Sequence, residues 1–305
     1  MPKRRQKKKR VTSAANLQQE RESKQMQRNV KDRLFRYLFE NDREALLDLY
    51  NALNGTSYQD STQLEIVTIE SAVYVVMKND LAYILSGTLN MYEHQSTYSP
   101  NLPVRFLIYL AQEYQTVIEK AEKSLYGTGR ITLPTPQCIA FYNGMKEMPE
   151  EQMLKLSDAF ENKKARADVE LTVRMLNINY GHNKQLMEKC VTLEAYSKFA
   201  AITRECMQVE KDMQTALNRA VESSIERGIL KEFLLKNRAE VLGMLLEEFD
   251  AEKYERTIRE EGRKEGMKQE RLDALVRMKE AGFTKEQIIS CGYTEDECRQ
   301  EKNII

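Results

Sequence analysis

The amino-acid sequence predicts an α/β domain with a mixed sheet, followed by a helical C-terminal region. Between residues 64 and 178, short apolar runs with strand character are interrupted by one long helical pattern, and this order is typical of α/β domains. After about Asn183 the strand signals stop, and the remaining residues show helical spacing and dense charge. The pattern therefore predicts one sheet-containing core with a helical addition.

A helical pattern opens the predicted domain, and strands follow it. Apolar residues recur at helical spacing from Val30 to Tyr50, and the dipeptide Asn54-Gly55 then gives a turn signal. Four compact apolar runs come next, and we interpret each of them as a strand; they span 64–69, 72–77, 81–85 and 89–92.

Prolines mark the beginnings of the later elements. Two prolines precede a helix that we expect over 104–125, and two more precede a strand predicted over 138–142. The last strand candidate spans 171–178, where an Asn-Tyr-Gly turn signal follows it.

These patterns divide the chain into four predicted segments. A basic and then Gln- and Ser-rich segment occupies 1–28, and its low content of large apolar residues predicts a disordered or loosely helical segment. The α/β domain is expected over 29–183 and a helical region over 184–250. A charged helix and a pair of short helices are expected over 251–305.

The last of these segments repeats a helix-start pattern. Thr284 and Thr294 each lie three residues before Gln or Glu, which is the capping-box spacing. We therefore expect two short, tightly turned helices at this end of the sequence. The charged helix has either a solvated or a self-associating face, and together with the short helices it is a candidate for assembling the chain into a homo-oligomer.

Charge is balanced over the whole sequence but unevenly placed. Lys and Arg number 47, as do Asp and Glu, yet the first ten residues carry seven basic side chains and no acidic one. Clustered Lys and Arg attract phosphate groups with little sequence selectivity. The basic segment is therefore a candidate contact for DNA, and the alternative is a merely solvated tail.

Cysteine spacing and hydropathy exclude several classes of protein. The five cysteines are dispersed without a Cys-x-x-Cys pair, and the two histidines are far apart in sequence, so we expect reduced thiols and no structural zinc site. No apolar run approaches the ~20 residues of a membrane helix. The basic N-terminus also lacks the apolar stretch of a secretory signal. We therefore expect a cytoplasmic protein that does not insert into membranes.

The candidate site lies where two neighbouring strand-like runs meet. Asp80 precedes one run, Glu93 closes the next, and a Ser86-Gly87 turn signal joins them. A hairpin would bring both carboxylates to one end of the sheet, and the period-2 rule places Gln95 on the face of Glu93 with His94 on the opposite face. Such a cluster suits Mg²⁺ beside a phosphodiester, because Mg²⁺ prefers carboxylate oxygen and keeps several waters.

At these residues the chain resembles the PD-(D/E)XK nuclease core, with Asp80 before a hairpin and Glu93-x-Gln95 on its second strand. More specifically, it is similar to the recombination-promoting nuclease family, also called PD-(D/E)XK nuclease-family transposases. The similar runs follow one another between residues 30 and 270; they are KDRLFRYLF at 31–39, YEHQS at 92–96, LPVR at 102–105, PTP at 134–136, FYNG at 141–144, NINYGHN at 177–183 and a Glu-, Gly- and Arg-rich helix at 260–270.

The resemblance implies a metal-dependent DNA endonuclease with a restriction-endonuclease-like core, linked to recombination or mobile elements. It implies that Asp80 and Glu93 bind Mg²⁺ or Mn²⁺ and that Gln95 completes the catalytic set. Gln95 stands where the motif usually has a lysine, and a neutral amide can only hydrogen-bond. Either the metal ions or a phosphate contact by Arg105 would then supply the missing positive charge. Asp32 is a candidate third acidic ligand, and the alternative for it is a place on the helix surface.

Two other interpretations stay open from the sequence. A catalytically silent DNA-binding or assembly protein on a nuclease-like scaffold would carry the same residues, and the neutral Gln95 keeps that alternative open. A purely helical interaction protein is the third interpretation, and it predicts affinity for neither metal nor DNA.

Overall fold

The computed structural model of the chain describes residues 33–67 and 80–294. Within these residues a six-stranded mixed sheet combines with helices, so the predicted α/β class with a mixed sheet is confirmed. Four features predicted from the sequence lie outside the described residues; they are the basic segment 1–28, Asp32, the strand candidate 72–77 and the short helix after Thr294.

Six strands form the sheet in the described part of the chain. They are β1 (Glu65–Ile66), β2 (Leu81–Leu85), β3 (Thr88–Gln95), β4 (Thr135–Tyr142), β5 (Glu151–Lys155) and β6 (Thr172–Asn177). Their order across the sheet is β1-β2-β3-β4-β6-β5. The neighbours β3, β4 and β6 are parallel and the other pairs are antiparallel. The carboxyl ends of β3, β4 and β6 therefore lie at one edge of the sheet.

Helices precede, interrupt and follow the strands along the chain. They are α1 (Arg33–Glu40), α2 (Arg43–Asn54), α3 (Leu102–Lys120), α4 (Lys184–Lys189), α5 (Val191–Val209), α6 (Met213–Glu226), α7 (Lys231–Lys236), α8 (Arg238–Glu280) and α9 (Lys285–Ser290). None of the described helices combines the length and the apolar character that a membrane span requires. Packing divides the chain into two compact units, the first ending at Phe249 and the second beginning at Asp250.

The β2–β3 hairpin forms as the sequence predicts. Ser86 and Gly87 both have positive φ angles, +50° and +75°, and a two-residue turn of this kind matches the right-handed twist of the strands that it joins. Glycine adopts this conformation without steric cost. The antiparallel ladder continues from the turn to the pair Leu81–Tyr92.

The two faces of the sheet bury separate hydrophobic cores in the first unit. The first core joins one face to helices from before and after the strand region, and it includes Phe35 of α1, Tyr92 of β3 and Phe199 of α5. The second core joins the other face to α3 through residues such as Met91 and Phe106. The helices α5 to α7 thus pack on the same core as α1 and α2.

Four elements depart from the apolar runs of the sequence, one in having no such run and three in their extent. The strand β5 has no clear signal in the sequence, because Leu154 is its only buried residue. The strands β3 and β4 are longer than the runs 89–92 and 138–142, since polar and small residues beyond those runs also join the parallel ladder. The helix α3 ends before 125, and Glu122 adopts a positive φ of +52° just after its end.

The second unit contains the predicted helix start at Thr284. The hydroxyl of Thr284 accepts a hydrogen bond from the backbone N–H of Gln287, and the Gln287 side chain accepts one from the backbone N–H of Thr284. This reciprocal pair is the capping box that the sequence predicts at this position. Leu275 of α8 and Ile288 of α9 are both 1% exposed, so each of these helices buries an apolar side chain.

A carboxyl group is buried within the second core of the first unit. Glu113 of α3 is fully buried, and neither of its carboxylate oxygens has a hydrogen-bond partner in the described residues. Burial disfavours the charged form and raises the pKa of Glu113 to about 7, although Lys120 partly offsets this shift. The neutral acid is therefore the form that suits the folded protein.

We expect the burial of Glu113 to make the protein less stable as the pH rises. The pKa is raised from 4.5 to about 7 on folding, so the folded state holds the proton more tightly and stability is lost between these two values. The loss between pH 5 and pH 8 should be about 2–3 kcal/mol, and Glu113→Gln should remove it. Urea unfolding at both pH values measures the difference.

Glu119→Gln is the matched control for this measurement, because Glu119 is exposed on the same helix. The control should keep the pH dependence of the wild type. An equal pH dependence in Glu113→Gln and in the wild type would contradict the assignment of the effect to Glu113.

Candidate functional site

The end of the β2–β3 hairpin brings Asp80 and Glu93 to the same place. Leu81 and Tyr92 are paired across the hairpin, and Asp80 and Glu93 are the next residues beyond that pair. The Oδ2 atom of Asp80 accepts a hydrogen bond from the backbone N–H of His94 at 2.6 Å. The two residues that the sequence singles out therefore lie at one end of the hairpin.

The side chains of β3 alternate between the two faces as expected from the strand period. His94 packs in the region of the first core, where its ring stacks on Phe35 with centroids 5.2 Å apart. Its Nε2 atom lies 2.9 Å from the hydroxyl of Tyr196. Glu93 and Gln95 extend to the opposite face, where both contact Arg105 of α3. His94 is thus a core residue on the far side of the sheet from the two candidate site residues.

Arg105 and Gln95 converge on one oxygen of Glu93. The Nη2 atom of Arg105 contacts Oε1 of Glu93, and the amide nitrogen of Gln95 donates to the same oxygen at 3.0 Å. Arg105 also reaches the amide oxygen of Gln95 at 3.5 Å and donates from Nε to the hydroxyl of Tyr109 at 3.2 Å. The four side chains form one connected polar group beside the second core.

The position of Arg105 follows from how α3 begins. Arg105 is the fourth residue of α3, and Pro103 lies at the start of the helix, where its missing N–H costs no helical hydrogen bond. A short connection links the end of β3 at Gln95 to this first turn. The turn therefore lies near the carboxyl end of β3, and the arginine reaches back to Glu93.

Glu93 is buried although it carries a carboxylate. Its side chain is 2% exposed, and the Oε2 atom has no hydrogen-bond partner within the described residues. A buried carboxylate requires compensation by an opposite charge and hydrogen bonds. At Oε1, Arg105 supplies the opposite charge and Gln95 supplies a hydrogen bond. At Oε2, the described residues supply no hydrogen bond.

The end of β4 lies directly beside Gln95. The backbone N–H of Asn143 donates to the carbonyl oxygen of Gln95 at 2.9 Å, which continues the parallel ladder by one residue. Gly144 follows, and a Cβ atom at this position would overlap the carbonyl oxygen of Ser96 and the hydroxyl of Tyr142. The close approach of these segments therefore requires glycine at 144.

A second arginine, Arg204 of α5, fixes the same edge of the sheet. Its Nη2 atom donates to the side-chain oxygen of Asn143 at 2.6 Å and contacts the carbonyl oxygen of that residue, and its Nη1 atom donates to Asn179 at 2.7 Å. Arg204 thus joins the ends of β4 and β6. Nothing in the sequence distinguishes Arg204 from the other charged residues of its helix, because its partners are remote along the chain.

The donor set at the hairpin end fits a hard divalent cation that retains water. No group of three or more His, Cys, Asp or Glu residues suited to a metal occurs among the residues that the structure describes. Mg²⁺ is often bound by only one or two carboxylates because it keeps several waters. Asp80 and Glu93 supply two carboxylates at this end of the hairpin, and the Oε2 atom of Glu93, which has no partner within the described residues, is an acceptor that a cation would satisfy.

The buried cysteines offer no alternative chemistry. Burial raises the pKa of Cys138 to about 12 and that of Cys190 to about 11. A thiol acts as a nucleophile through its thiolate, and these two groups stay protonated at neutral pH. They are packing residues of the two cores.

Comparisons of the chain with protein-family models, with curated proteins and with solved structures give no match. The family resemblance therefore stays a prediction from the sequence.

We expect Gly144→Ala to destabilise the protein, because the added methyl group overlaps the Ser96 carbonyl and the Tyr142 hydroxyl. Overpacking of this kind costs about 1–3 kcal/mol. Gly129→Ala is the matched control, since a Cβ atom there meets nothing within 4 Å, and it should change stability by less than about 0.5 kcal/mol. Urea unfolding of both variants measures the difference, and equal stabilities would contradict the close packing at Gly144.

Proposed function

We propose that the protein is a metal-dependent DNA endonuclease with a PD-(D/E)XK-like core. The observation that carries the proposal is the polar group at the end of the β2–β3 hairpin. There Asp80 lies beside Glu93, and Gln95 and Arg105 both contact Glu93. The hairpin with Glu93-x-Gln95 on its second strand is also the feature through which the sequence resembles this class of nuclease.

In this proposal each residue of the group has a distinct role. Asp80 and Glu93 hold Mg²⁺ or Mn²⁺, which when bound neutralises phosphate charge and lowers the pKa of a bound water. Gln95 orients the attacking water through its amide, which can donate and accept hydrogen bonds. Arg105 supplies the positive charge that the neutral Gln95 lacks, and its planar guanidinium suits a bidentate contact with phosphate.

DNA is the proposed substrate because the chemistry suits a phosphodiester and because the sequence offers a basic segment. The seven Lys and Arg residues among the first ten would add affinity for the phosphate backbone without selecting a base sequence. The helices after residue 184 are the proposed place for assembly into a homo-oligomer. A link with recombination or mobile elements follows from the family resemblance.

The alternative function is a DNA-binding or assembly protein on a nuclease-like scaffold without turnover. Two observations favour it. Gln95 is neutral, and the guanidinium of Arg105 is already paired with Glu93. A protein that binds DNA without cutting it would retain both features.

We expect the protein to nick supercoiled plasmid DNA in the presence of Mg²⁺ or Mn²⁺ and not in the presence of EDTA. Asp80→Asn should reduce the rate by roughly 10²-fold or more, because it removes a charge from the site while keeping an oxygen that can accept from the His94 N–H. Glu93→Gln should have a similar effect. Nicking is measured on agarose gels as a function of time and metal concentration.

Asp158→Asn is the matched control, because Asp158 is an exposed carboxylate in the turn after β5, and it should keep the wild-type rate. DNA binding without metal-dependent nicking in the wild type would favour the scaffold. Nicking that survives both site substitutions would mean that the cleavage arises elsewhere.

A further inference from the structure

The ion pair between Arg105 and Glu93 is unequally exposed and only partly hydrogen-bonded. Glu93 is enclosed, with a side chain 2% exposed, whereas the Arg105 side chain is 23% exposed. Only one oxygen of the carboxylate is satisfied, and the other has no partner within the described residues. The fork of an arginine can pair with both oxygens of a carboxylate, but the contacts described here engage one.

We propose that Arg105 is an exchangeable counter-ion, which neutralises Glu93 in the metal-free protein and leaves it when a divalent cation binds. This inference rests on the proposed function, because it concerns the same carboxylates. It adds that cation binding and release of the arginine are coupled. The guanidinium of Arg105 therefore becomes free to contact phosphate only when the divalent cation has bound.

Charge repulsion makes Arg105 and a divalent cation compete for Glu93. A guanidinium and a divalent cation that contact the same carboxylate repel each other at short range, so a cation held by Asp80 and Glu93 would weaken the contact with Arg105. The buried Oε2 atom has no hydrogen-bond partner within the described residues, so it is the oxygen of Glu93 that a cation would satisfy without first displacing the contact at Oε1. Because Arg105 is partly exposed, it can leave towards solvent without disturbing the core.

Tyr109 is the positioning residue for this exchange. It lies one helical turn after Arg105 on α3, and its hydroxyl accepts from the Nε atom of Arg105 at 3.2 Å. Tyr109 is 1% exposed and belongs to the second core, so its hydroxyl has a fixed place. This bond directs the guanidinium towards Glu93 and so favours the metal-free arrangement.

Calorimetric titration of the full chain with Mn²⁺, without DNA, tests the proposal. Arg105→Met removes the competing charge and adds no metal ligand, so it should lower the apparent Kd about tenfold, equivalent to about 1.4 kcal/mol. Tyr109→Phe should lower it about twofold to threefold, and this variant keeps both the ion pair and the aromatic ring in the core. Arg174→Gln is the matched control, because Arg174 forms an exposed pair with Glu151, and it should leave the Kd unchanged.

The outcomes separate this inference from the proposed function. Mn²⁺ binding that Glu93→Gln abolishes and that both Arg105→Met and Tyr109→Phe strengthen supports the exchange. Binding at Glu93 that neither variant strengthens overturns the exchange and leaves the proposed metal site intact. Absence of binding in the wild type and in all variants overturns both. If Arg105→Met does not fold, Tyr109→Phe decides the question alone, and an unchanged Kd in that variant counts against the exchange.

Discussion

The candidate site depends on the hydrogen bonding of β3 to both of its neighbours. All eight residues of β3 pair with β4 in the parallel ladder, and the residues from the turn to Tyr92 pair with β2. This double pairing fixes the twist and register of the strand, and with them the side to which each side chain points. A shift of one residue would place His94 beside α3 and Glu93 in the first core, where an unpaired carboxylate is strongly disfavoured.

The period of two along β3 is the part of this arrangement that the sequence predicts well. The Ser86-Gly87 turn, the bounds of β2 and the opposite placement of Glu93 and His94 all follow from local patterns. Other parts depend on contacts between distant segments. The strand β5 has one buried residue and so little apolar periodicity. The contact of Arg105 with Glu93 depends on where α3 packs, and that packing joins Phe106, next to the arginine, to core residues of distant strands.

Two arginines approach the same sheet edge from opposite faces, and their surroundings differ. Arg204 meets neutral oxygens of Asn143 and Asn179 and joins the ends of two strands. Arg105 meets a carboxylate and is partly open to solvent. The neutral partners of Arg204 tie two strand ends together, whereas Arg105 has a charged partner besides its neutral contacts with Gln95 and Tyr109, so a change of charge at Glu93 alters its surroundings. At this end of the sheet, Arg204 thus stabilises the strand ends, while Arg105 is sensitive to the charge of Glu93.

Transfer of Asp80 and Glu93 to another protein scaffold would have to preserve the position of the backbone N–H of His94. Asp80 is held by this N–H, while the ring of the same residue is held by Phe35 and Tyr196 on the far face of the sheet. The alignment of the partly buried Asp80 carboxylate therefore depends on packing that lies behind the sheet. Grafting the hairpin alone onto another scaffold would transfer Asp80 and Glu93 without the aromatic support that orients them, so the smallest transplantable unit includes α1 and the middle of α5.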